Sequence, residues 1–505
     1  MLVEKGMKWH LSSEVVIIGY GGAGAVTGIS AYDQGADVLI LEKQAEDTHY
    51  TNTGMSLGVF LSPTDPERAV RHMEEVCRAE EGYSWTDKEV IRAWSKYTCG
   101  NKAWVEETLE LPVQEFGNTA GTPFDGRESM MAYATRGYGY GLFRALHEQV
   151  RRRSINVLYD CPARRLLTNS QGEVVGVRVM QHVGDDAREL NIRAAKAVVL
   201  TPGGFQFNET MKLNYLRVYP FYGHGTTANT GDGVTMAQEV GADLWHMNCC
   251  TGRMMAKFPD FPIAFSLNFG GEARPLRRSH VETPVRTGAG FIVVDQHGHR
   301  YANENAKPHY VHYEMSLYDS QGLRHSRIPS YWVFDQRRIE AGPLAHTEFG
   351  AAGPYRLYQW SLDNKQEMER GWIAVGDTPR ELAGRLGVDP GNLQKALRDY
   401  NGYCELGLDT EFSRLPSSLV PLDSPPYYAV RLYPGGPTTH GGPRRNAQAQ
   451  VLDLDGLPIH GLYGAGELGS VYGMLCIAGG GFLAECLAFG RIAGECSAQE
   501  KVHGI

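Results

Sequence analysis

The segment from residue 14 to residue 43 constrains the fold of this chain more than any other. Residues 15–18 form a short apolar, mostly β-branched run that predicts a buried parallel strand, and the glycine-rich sequence of residues 19–24 follows directly. The small residues of 25–34 predict a helix packed on that strand, and residues 38–41 predict a second buried strand. The segment therefore predicts a β-α-β unit with a glycine-rich first turn.

Three glycines and one acidic residue of this unit meet the requirements of a dinucleotide site. Gly19 permits the tight turn, Gly21 lets backbone N–H groups approach a pyrophosphate, and Gly24 lets the helix pack on the strand. Glu42 ends the second strand 18 residues after Gly24, close to the roughly 20 expected of an acid that binds the adenosine ribose. These residues predict a dinucleotide site without distinguishing FAD from NAD.

Length and composition limit the classes of protein. The 505 residues suggest two to three domains at roughly 150 residues each, and the net charge of −9 argues against a nucleic-acid partner. There is no apolar run of about 18 residues, and residues 1–10 lack the apolar core of a signal peptide, so we expect no membrane span and a cytoplasmic location. The nine cysteines form no CxxC or CxxCH, so no metal site is expected. Cys249 and Cys250 are either a redox-active pair or ordinary thiols.

Periodicity and composition predict the remaining organisation. Residues 65–110 have the pattern of charged amphipathic helices, residues 157–167 and 174–180 that of hairpin strands, and residues 482–496 that of a closing helix. Prolines, tyrosines and arginines become frequent near residue 251, and glycines return near residue 435. The predicted domains are a first part of the dinucleotide domain at 1–250, an inserted second domain at 251–434, and a second part of the dinucleotide domain at 435–505.

Several further motifs occur in a fixed order along the chain. They are residues 16–24, Leu41-Glu42-Lys43, Asn52-Thr53-x-x-Ser56-x-Gly58, residues 198–205, Thr230-Gly231-Asp232-Gly233, residues 298–304, Gly464-Ala465-Gly466-Glu467 and residues 489–494. Together they resemble the FAD-dependent fumarate reductase / 3-ketosteroid dehydrogenase superfamily. The resemblance implies an α/β fold: a Rossmann-like FAD-binding domain assembled from N- and C-terminal segments, with an inserted α+β cap domain for the substrate.

The same resemblance implies a noncovalent FAD and a chemistry. Hydride passes between flavin N5 and a carbon beta to a carbonyl, while a side chain moves a proton at the alpha carbon. By resemblance, the start of the closing helix stabilises negative charge at the flavin. The residues implied for FAD binding are Gly19, Gly21, Gly22, Gly24, Glu42, Lys43, Asn52, Thr53, Ser56, Gly58, Ala163, Gly203, Gly204, Asp232, Gly466, Glu467, Gly479, Gly480, Gly481 and Leu483.

The substrate residues of fumarate reductases are poorly matched in this chain. The expected histidine is displaced to His440, no arginine follows Asn303-Glu304 within residues 305–310, and residues 474–478 carry no charge. A dicarboxylate needs at least two cationic partners to offset the loss of its hydration. We therefore expect a neutral, cyclic or steroid-like enone or ketone, and keep a fumarate or enoate reductase acting on a carboxylate as the alternative.

Three residues are candidates for the chemistry, each with a structural alternative. Tyr472 precedes the last glycine run and is predicted to donate a hydrogen bond to the carbonyl or a proton, so its replacement by Phe is expected to lower turnover by orders of magnitude. Tyr310 is predicted to act similarly, and His440 to be a polar group of the active site. The alternatives are a packed tyrosine and a loop histidine.

Two other activities stay open, a flavin-dependent oxidase or hydroxylase and a non-redox lyase or hydratase. No second dinucleotide fold and no haem motif is evident in the sequence, so we expect a small-molecule substrate and a soluble electron donor or acceptor.

Overall fold

The chain divides into two compact units in its computed structural model. The structure describes residues 1–3, 6–120, 123–184, 186–269, 289–305, 308–345, 357–475 and 479–504. Unit 1 is Met1–Leu216, Gly225–Thr251 and Thr438–Ile505, and unit 2 is Arg217–His224 and Gly252–Pro437. Unit 2 thus includes residues 217–224, which lie in the predicted first segment, and it ends at Pro437 rather than at residue 434. The assignment of FAD-binding and cap roles to these units stays a prediction.

The strands are mostly short, and the longest ones lie in the hairpins and sheet centres. In chain order they are β1 Leu11–Ile18, β2 Val38–Leu41, β3 Val59–Leu61, β4 Arg78–Glu80, β5 Tyr83–Ser84, β6 Val113–Asn118, β7 Met131–Thr135, β8 Asn156–Leu158, β9 Ala163–Thr168, β10 Val174–Val183, β11 Asp186–Leu200, β12 Tyr222–Gly223, β13 Leu244–Trp245, β14 Cys250–Lys257, β15 Ala264–Ser266, β16 Phe291–Val294, β17 Ser330–Asp335, β18 Ile373–Gly376, β19 Tyr427–Thr439, β20 Gly442–Pro443, β21 Gln450–Leu452 and β22 Pro458–Gly464.

The helices are distributed between these strands along the chain. They are α1 Gly22–Asp33, α2 Asn52–Met55, α3 Pro66–Val76, α4 Lys88–Cys99, α5 Asn101–Thr108, α6 Tyr138–Arg152, α7 Glu209–Tyr215, α8 Asp232–Glu239, α9 Pro308–Met315, α10 Gln336–Glu340, α11 Lys365–Glu369, α12 Pro379–Leu386, α13 Pro390–Leu406 and α14 Gly481–Gln499, with 3₁₀ turns at Arg127–Ser129 and Pro416–Ser418. Among the described residues, no helix has the length and apolarity needed to cross a membrane.

The main sheet of unit 1 has a parallel centre flanked by antiparallel strands. Its order is β21-β22-β11-β1-β2-β8, with β10 paired to β11 and β9 paired to β10. β1 pairs in parallel with both β2 and β11, so Ile18 at its end lies between Leu41 and Leu200. The glycine turn that follows Ile18 therefore lies at the carboxyl edge of the sheet, where ligand sites of α/β folds form.

Helices α1 and α14 pack against each other at short range. A Cβ added to Gly490 would lie 2.9 Å from the Val26 side chain, and one added to Gly494 would lie 2.6 Å from the Thr27 carbonyl oxygen. Residues of both helices belong to the main apolar cluster of unit 1, together with residues of β1 and β2. The positions of the two helix N-termini are thereby fixed by the same core.

Unit 2 contains a mixed sheet in the order β15-β14-β19-β17-β16, with β12 and β18 also paired to β19. Its apolar core joins β16 and β17 to helices α12 and α13. A buried charge network lies within the same unit: Arg300 donates to Glu304 and Asp409 at 2.8 and 2.9 Å, and Arg414 donates to Glu304 at 3.3 Å. Because each carboxylate of this network has a guanidinium partner, the buried charges are compensated.

The predicted α/β class is confirmed, and two segments differ from their predictions. Residues 65–110 contain α3, α4 and α5, but β4 and β5 interrupt them around Gly82, whose φ of 78° suits a tight turn. Residues 157–167 form parts of β8 and β9 rather than one strand, because Asp160 has a φ of 50° and Pro162 lacks an N–H group. Helix α14 begins one residue before the predicted closing helix.

Candidate functional site

The glycine turn after β1 leaves one side of the backbone open. Gly19 has a φ of 100°, and a Cβ there would lie 2.7 Å from Pro202. A Cβ at Gly24 would overlap the Gly19 carbonyl oxygen, and a Cβ at Gly22 would overlap Thr53. A Cβ at Gly21 would meet no heavy atom within 4 Å. Open space thus lies beside the residue that caps α1, where neither a side-chain cap nor an acidic residue is present.

The Glu42 carboxylate lies beside this turn and is held by backbone groups. Its Oε2 accepts from the Tyr20 N–H at 2.9 Å, and its Oε1 accepts from the Gln44 N–H at 2.8 Å. The Glu42 carbonyl accepts from the Cys161 N–H at 2.9 Å, two residues before Ala163 at the start of β9. The structure therefore brings the predicted ribose-binding acid close to the backbone around Ala163.

An aromatic cluster that the sequence analysis did not identify surrounds the same carboxylate. The Tyr20 and His49 rings stack with centroids 5.5 Å apart, and Phe143 and Tyr159 meet them edge-on. His49 Nε2 lies 3.6 Å from a Glu42 oxygen, and burial lowers the pKa of His49. Only the position of Tyr20 inside the glycine motif could have indicated this cluster, because the other residues come from three separate segments.

Lys43 and Asp232, both predicted for FAD binding, bind each other. Lys43 Nζ lies 2.7 Å from Asp232 Oδ2 and donates to Thr230 Oγ1 at 2.6 Å. Both side chains are partly exposed. The pair links the segment after β2 to the start of α8, so at least one function of these residues is to hold these two segments together.

The Asn-Thr-x-x-Ser-x-Gly motif forms a compact turn at α2. Thr53 Oγ1 accepts from the Gly22 N–H at 3.1 Å, and Ser56 Oγ donates to the Thr53 carbonyl at 2.7 Å. Gly58 has a φ of 65° and packs against the Tyr138 backbone. The Asn52 side-chain amide donates to another predicted residue, Glu467, at 3.4 Å.

Glu467 is the centre of a polar cluster in unit 1. Its Oε1 accepts from the Thr439 N–H at 3.1 Å, and its Oε2 accepts from the Asn52 and Asn229 amides at 3.4 and 3.3 Å. A Cβ at Gly204 would overlap the Glu467 carboxylate and Thr439 Oγ1, and a Cβ at Gly203 would lie 2.7 Å from Asn229. Burial raises the pKa of Glu467 to about 8. The structure thus brings four of the predicted residues together: Asn52, Gly203, Gly204 and Glu467.

The two glycines just before α14 contact distant segments of the chain, and these contacts hold the start of the helix in place. Gly480 has a φ of 97° and lies close to the Phe60 backbone, and the Gly479 carbonyl accepts from Thr119 Oγ1 at 2.8 Å. No side chain caps α14, and its first turn carries no acid. Leu483 is buried. The predicted residues Gly479, Gly480, Gly481 and Leu483 therefore form a helix start that can stabilise negative charge.

A buried ion pair also attaches α14 to two other segments of the chain. Arg445 and Glu485 are fully buried and form an ion pair. Glu485 also accepts from the Ser470 hydroxyl at 2.8 Å and from the Val471 N–H at 2.9 Å. The segment before the last glycines is thereby tied to α14.

Tyr472 and His440 are both fully buried in unit 1. The Tyr472 hydroxyl donates to the Gly481 carbonyl at 2.8 Å. His440 Nδ1 lies 2.7 Å from the Gly473 carbonyl and therefore carries a proton, while its Nε2 lies 2.8 Å from Thr251 Oγ1. This geometry favours the structural alternative for both residues, and their catalytic roles stay predictions.

The structure says less about Tyr310, the two adjacent cysteines and a metal site. Tyr310 lies in α9, and its side chain is outside the described part of the chain. Cys249 and Cys250 are both buried. Within the described ranges, no group of three His, Cys, Asp or Glu residues is arranged to hold a metal.

Comparison with known proteins identifies the family. The family described as "FAD binding domain" matches residues 14–483. This chain belongs to the FAD-binding domain family. Its predicted cofactor, FAD, is thereby confirmed, whereas noncovalent attachment stays a prediction.

The relatives of this chain include reductases and dehydrogenases. It is 28% identical over 502 residues to an NADH:fumarate oxidoreductase of Klebsiella pneumoniae, covering 97% of this chain and 48% of the relative. It is 28% identical over 398 residues to a 3-oxosteroid 1-dehydrogenase of Mycobacterium tuberculosis, covering 73% of this chain and 65% of the relative. This chain thus spans about half to two thirds of the length of these two relatives, and the predicted superfamily resemblance is confirmed.

A solved structure shows the same fold. The 3-ketosteroid delta1-dehydrogenase of Sterolibacterium denitrificans superposes with a TM-score of 0.81 at 20% identity, over 97% of this chain and 99% of that one.

The residues of unit 1 fit FAD. The open side of Gly21 provides a place for a pyrophosphate against the uncapped start of α1, as the family requires. The oriented Glu42 carboxylate suits the hydroxyl groups of a ribose. The uncapped start of α14 suits the end of the flavin that becomes negative on reduction.

Proposed function

We propose that this chain is an FAD-dependent oxidoreductase. It transfers hydride between FAD and a C=C or CH–CH bond next to the carbonyl of a neutral, cyclic or steroid-like enone or ketone. The observation that carries the proposal is the family match over residues 14–483, most of the chain. When bound, FAD would carry the two electrons and the proton of the transferred hydride.

The residues of unit 1 then have binding and positioning roles. Backbone N–H groups at the start of α1 bind the pyrophosphate, and Glu42 accepts hydrogen bonds from the ribose. Tyr472 and His440 hold the Gly481 and Gly473 carbonyls, and so position the segment that leads into α14. Tyr310 stays a candidate for the substrate carbonyl.

The proposal of a neutral substrate depends on the absence of positively charged residues from two segments of the sequence. Residues 305–310 contain no arginine and residues 474–478 no charge, whereas a buried dicarboxylate needs two or more cationic partners. Relatedness to a 3-oxosteroid 1-dehydrogenase supports the same choice.

A second candidate is a reductase of a carboxylate such as fumarate. The relative that favours it, the NADH:fumarate oxidoreductase, aligns with 97% of this chain. In either case we propose a soluble electron donor or acceptor. A cytoplasmic location is a further proposal.

Anaerobic reduction of the purified, FAD-loaded protein tests the substrate class. After photoreduction, neutral cyclic enones, enoates and fumarate are added separately, and the absorbance of oxidised flavin is recorded, with free reduced FAD as the control. We expect cyclic enones to restore the absorbance and fumarate to leave it unchanged. Restoration by fumarate would establish the second candidate. Rapid restoration by air alone would indicate an oxidase, and product formation without any absorbance change would indicate a lyase.

A further inference from the structure

His49 contacts the Glu42 carboxylate from within the aromatic cluster of unit 1. Its Nε2 lies 3.6 Å from Glu42 Oε2, and the two side chains expose only 5% and 7% of their surface. The His49 ring stacks on Tyr20 at a centroid distance of 5.5 Å, and Phe143 and Tyr159 meet it edge-on at 5.6 Å each. Three aromatic rings therefore hold His49 against Glu42, and the ring cannot turn away without losing these contacts.

The hydrogen bonds of the ring determine which nitrogen atom of His49 carries the proton. The Tyr20 carbonyl accepts a hydrogen bond from the ring, whereas Nε2 has no hydrogen-bond partner in the part of the chain that the structure describes. The donor is therefore Nδ1, and Nε2 of the neutral ring carries a lone pair. Only a protonated ring has an N–H group directed at the Glu42 carboxylate.

The Glu42 carboxylate has little capacity left for further donors. Its Oε1 accepts from the Gln44 N–H at 2.8 Å and from the Gln44 side-chain amide at 3.3 Å. Its Oε2 accepts from the Tyr20 N–H at 2.9 Å. A carboxylate offers about four acceptor positions, two on each oxygen. One position on Oε2 therefore remains for a ribose hydroxyl, and this is the oxygen that lies beside His49 Nε2.

We propose that His49 is a positioning residue of the FAD site and that its protonation weakens FAD binding. The neutral ring leaves the last acceptor position of Glu42 open to the ribose. The protonated ring donates from Nε2 to Glu42 Oε2, fills that position and compensates the charge of the carboxylate, so the ribose loses a charge-assisted hydrogen bond. The only atom that moves to or from solvent is the proton on Nε2. The inference rests on the predicted ribose contact of Glu42 and not on the identity of the substrate.

Other ionisable groups also face the His49 ring. Burial, the largest effect, lowers the pKa of His49, whereas the Glu42 charge raises it and His147 lowers it. Burial raises the pKa of Tyr20 and raises that of Tyr159 to about 12, with a further contribution from Glu46 to the latter. Both tyrosines therefore stay neutral at physiological pH. His147, whose Nδ1 lies 3.1 Å from the Tyr20 hydroxyl, is the second histidine beside this cluster.

The pH dependence of FAD affinity tests the proposal. The FAD-loaded protein is diluted at a series of pH values from about 5.5 to about 8, a range that includes the usual titration of histidine, and released FAD is measured by its fluorescence. Because FAD binds the form with neutral His49, we expect wild-type affinity to be constant near pH 8. On the acid side we expect it to fall, by at most about tenfold per pH unit.

Two variants assign this fall to one histidine. His49→Phe keeps an aromatic ring in the cluster but has no titrating nitrogen, so its FAD affinity should not change over the same range. The control, His147→Phe, removes the neighbouring histidine and should retain the wild-type fall. A wild-type affinity independent of pH, tighter binding in acid, or a His49→Phe variant that keeps the fall would each overturn the proposal.

Glu42→Gln tests the same contact from its other side, and replaces His49→Phe if that variant does not fold. A neutral amide forms no ion pair with His49, so this variant should bind FAD more weakly than wild type at pH 8 and lose no further affinity in acid. Undiminished affinity at pH 8 would overturn the inference together with the ribose role of Glu42. None of these measurements uses an organic substrate, so failure of the proposed substrate class would not affect them.

Discussion

At the scale of single residues, position along the chain did not reveal where a side chain points. Tyr472 and His440 lie next to glycine-rich segments, which suggested contact with a substrate. In the structure both are fully buried, and their polar atoms bond to the Gly481 and Gly473 carbonyls. A hydroxyl that already donates to a backbone carbonyl cannot donate to a substrate at the same time.

Replacement of Tyr472 by Phe separates the two roles. We expect the free energy of unfolding to fall by about 1 kcal/mol, because one buried hydrogen bond to the Gly481 carbonyl is lost, and turnover to stay within about tenfold of wild type. Urea unfolding and steady-state turnover measure the two effects. Tyr97→Phe, which removes a hydroxyl bonded to Glu495, is the control. A loss of turnover by orders of magnitude with FAD still bound would instead support the catalytic prediction.

At the scale of elements, two helix starts define the candidate site. Helices α1 and α14 are held in place by the close approach of Gly490 and Gly494 to α1, and the Arg445–Glu485 pair adds a second attachment for α14. Removing one member of such a buried pair costs about 3–5 kcal/mol. The N–H groups at both helix starts are therefore presented by a rigid part of unit 1.

Two glycines of one turn should respond differently to alanine. Gly21→Ala adds a Cβ into open space at a φ of −91°, so we expect a normally folded protein that binds FAD poorly. Gly24→Ala places a Cβ against the Gly19 carbonyl, so we expect loss of stability as well as of FAD. Flavin content and the unfolding midpoint measure both. Unchanged FAD affinity in Gly21→Ala would show that the pyrophosphate does not approach this residue.

At the scale of the whole molecule, the chain has two units with separate cores. All the residues predicted for FAD binding lie in unit 1. A ligand that binds the native state of one unit stabilises that unit by mass action. The stability of unit 1 should therefore depend on FAD concentration.

Removal of FAD should lower the stability of unit 1. At a free FAD concentration 100 times Kd, the stabilisation is about 2.7 kcal/mol. We expect calorimetry of the loaded protein to show a higher unfolding midpoint than the apoprotein, with the difference increasing with FAD concentration. Glu42→Ala, which removes the predicted ribose contact, should reduce that difference. An identical midpoint with and without FAD would contradict assignment of the site to unit 1.

The sequence by itself determined the backbone features of the site. The glycines at 19–24 and the acid at 42 are close in sequence, and the geometry they require is local, so their spacing predicted the turn, the helix and the second strand. The α/β class followed from the same local pattern, whereas FAD followed from the resemblance of motifs spread along the whole chain to a known superfamily.

Only the tertiary structure decided which side chains meet. The contacts of Glu467 with Asn52 and Asn229, the pairing of Lys43 with Asp232 and the aromatic cluster around Tyr20 join residues far apart in the chain. Side-chain direction, burial and the resulting shift in pKa depend on packing between these segments, and no spacing along the sequence encodes them.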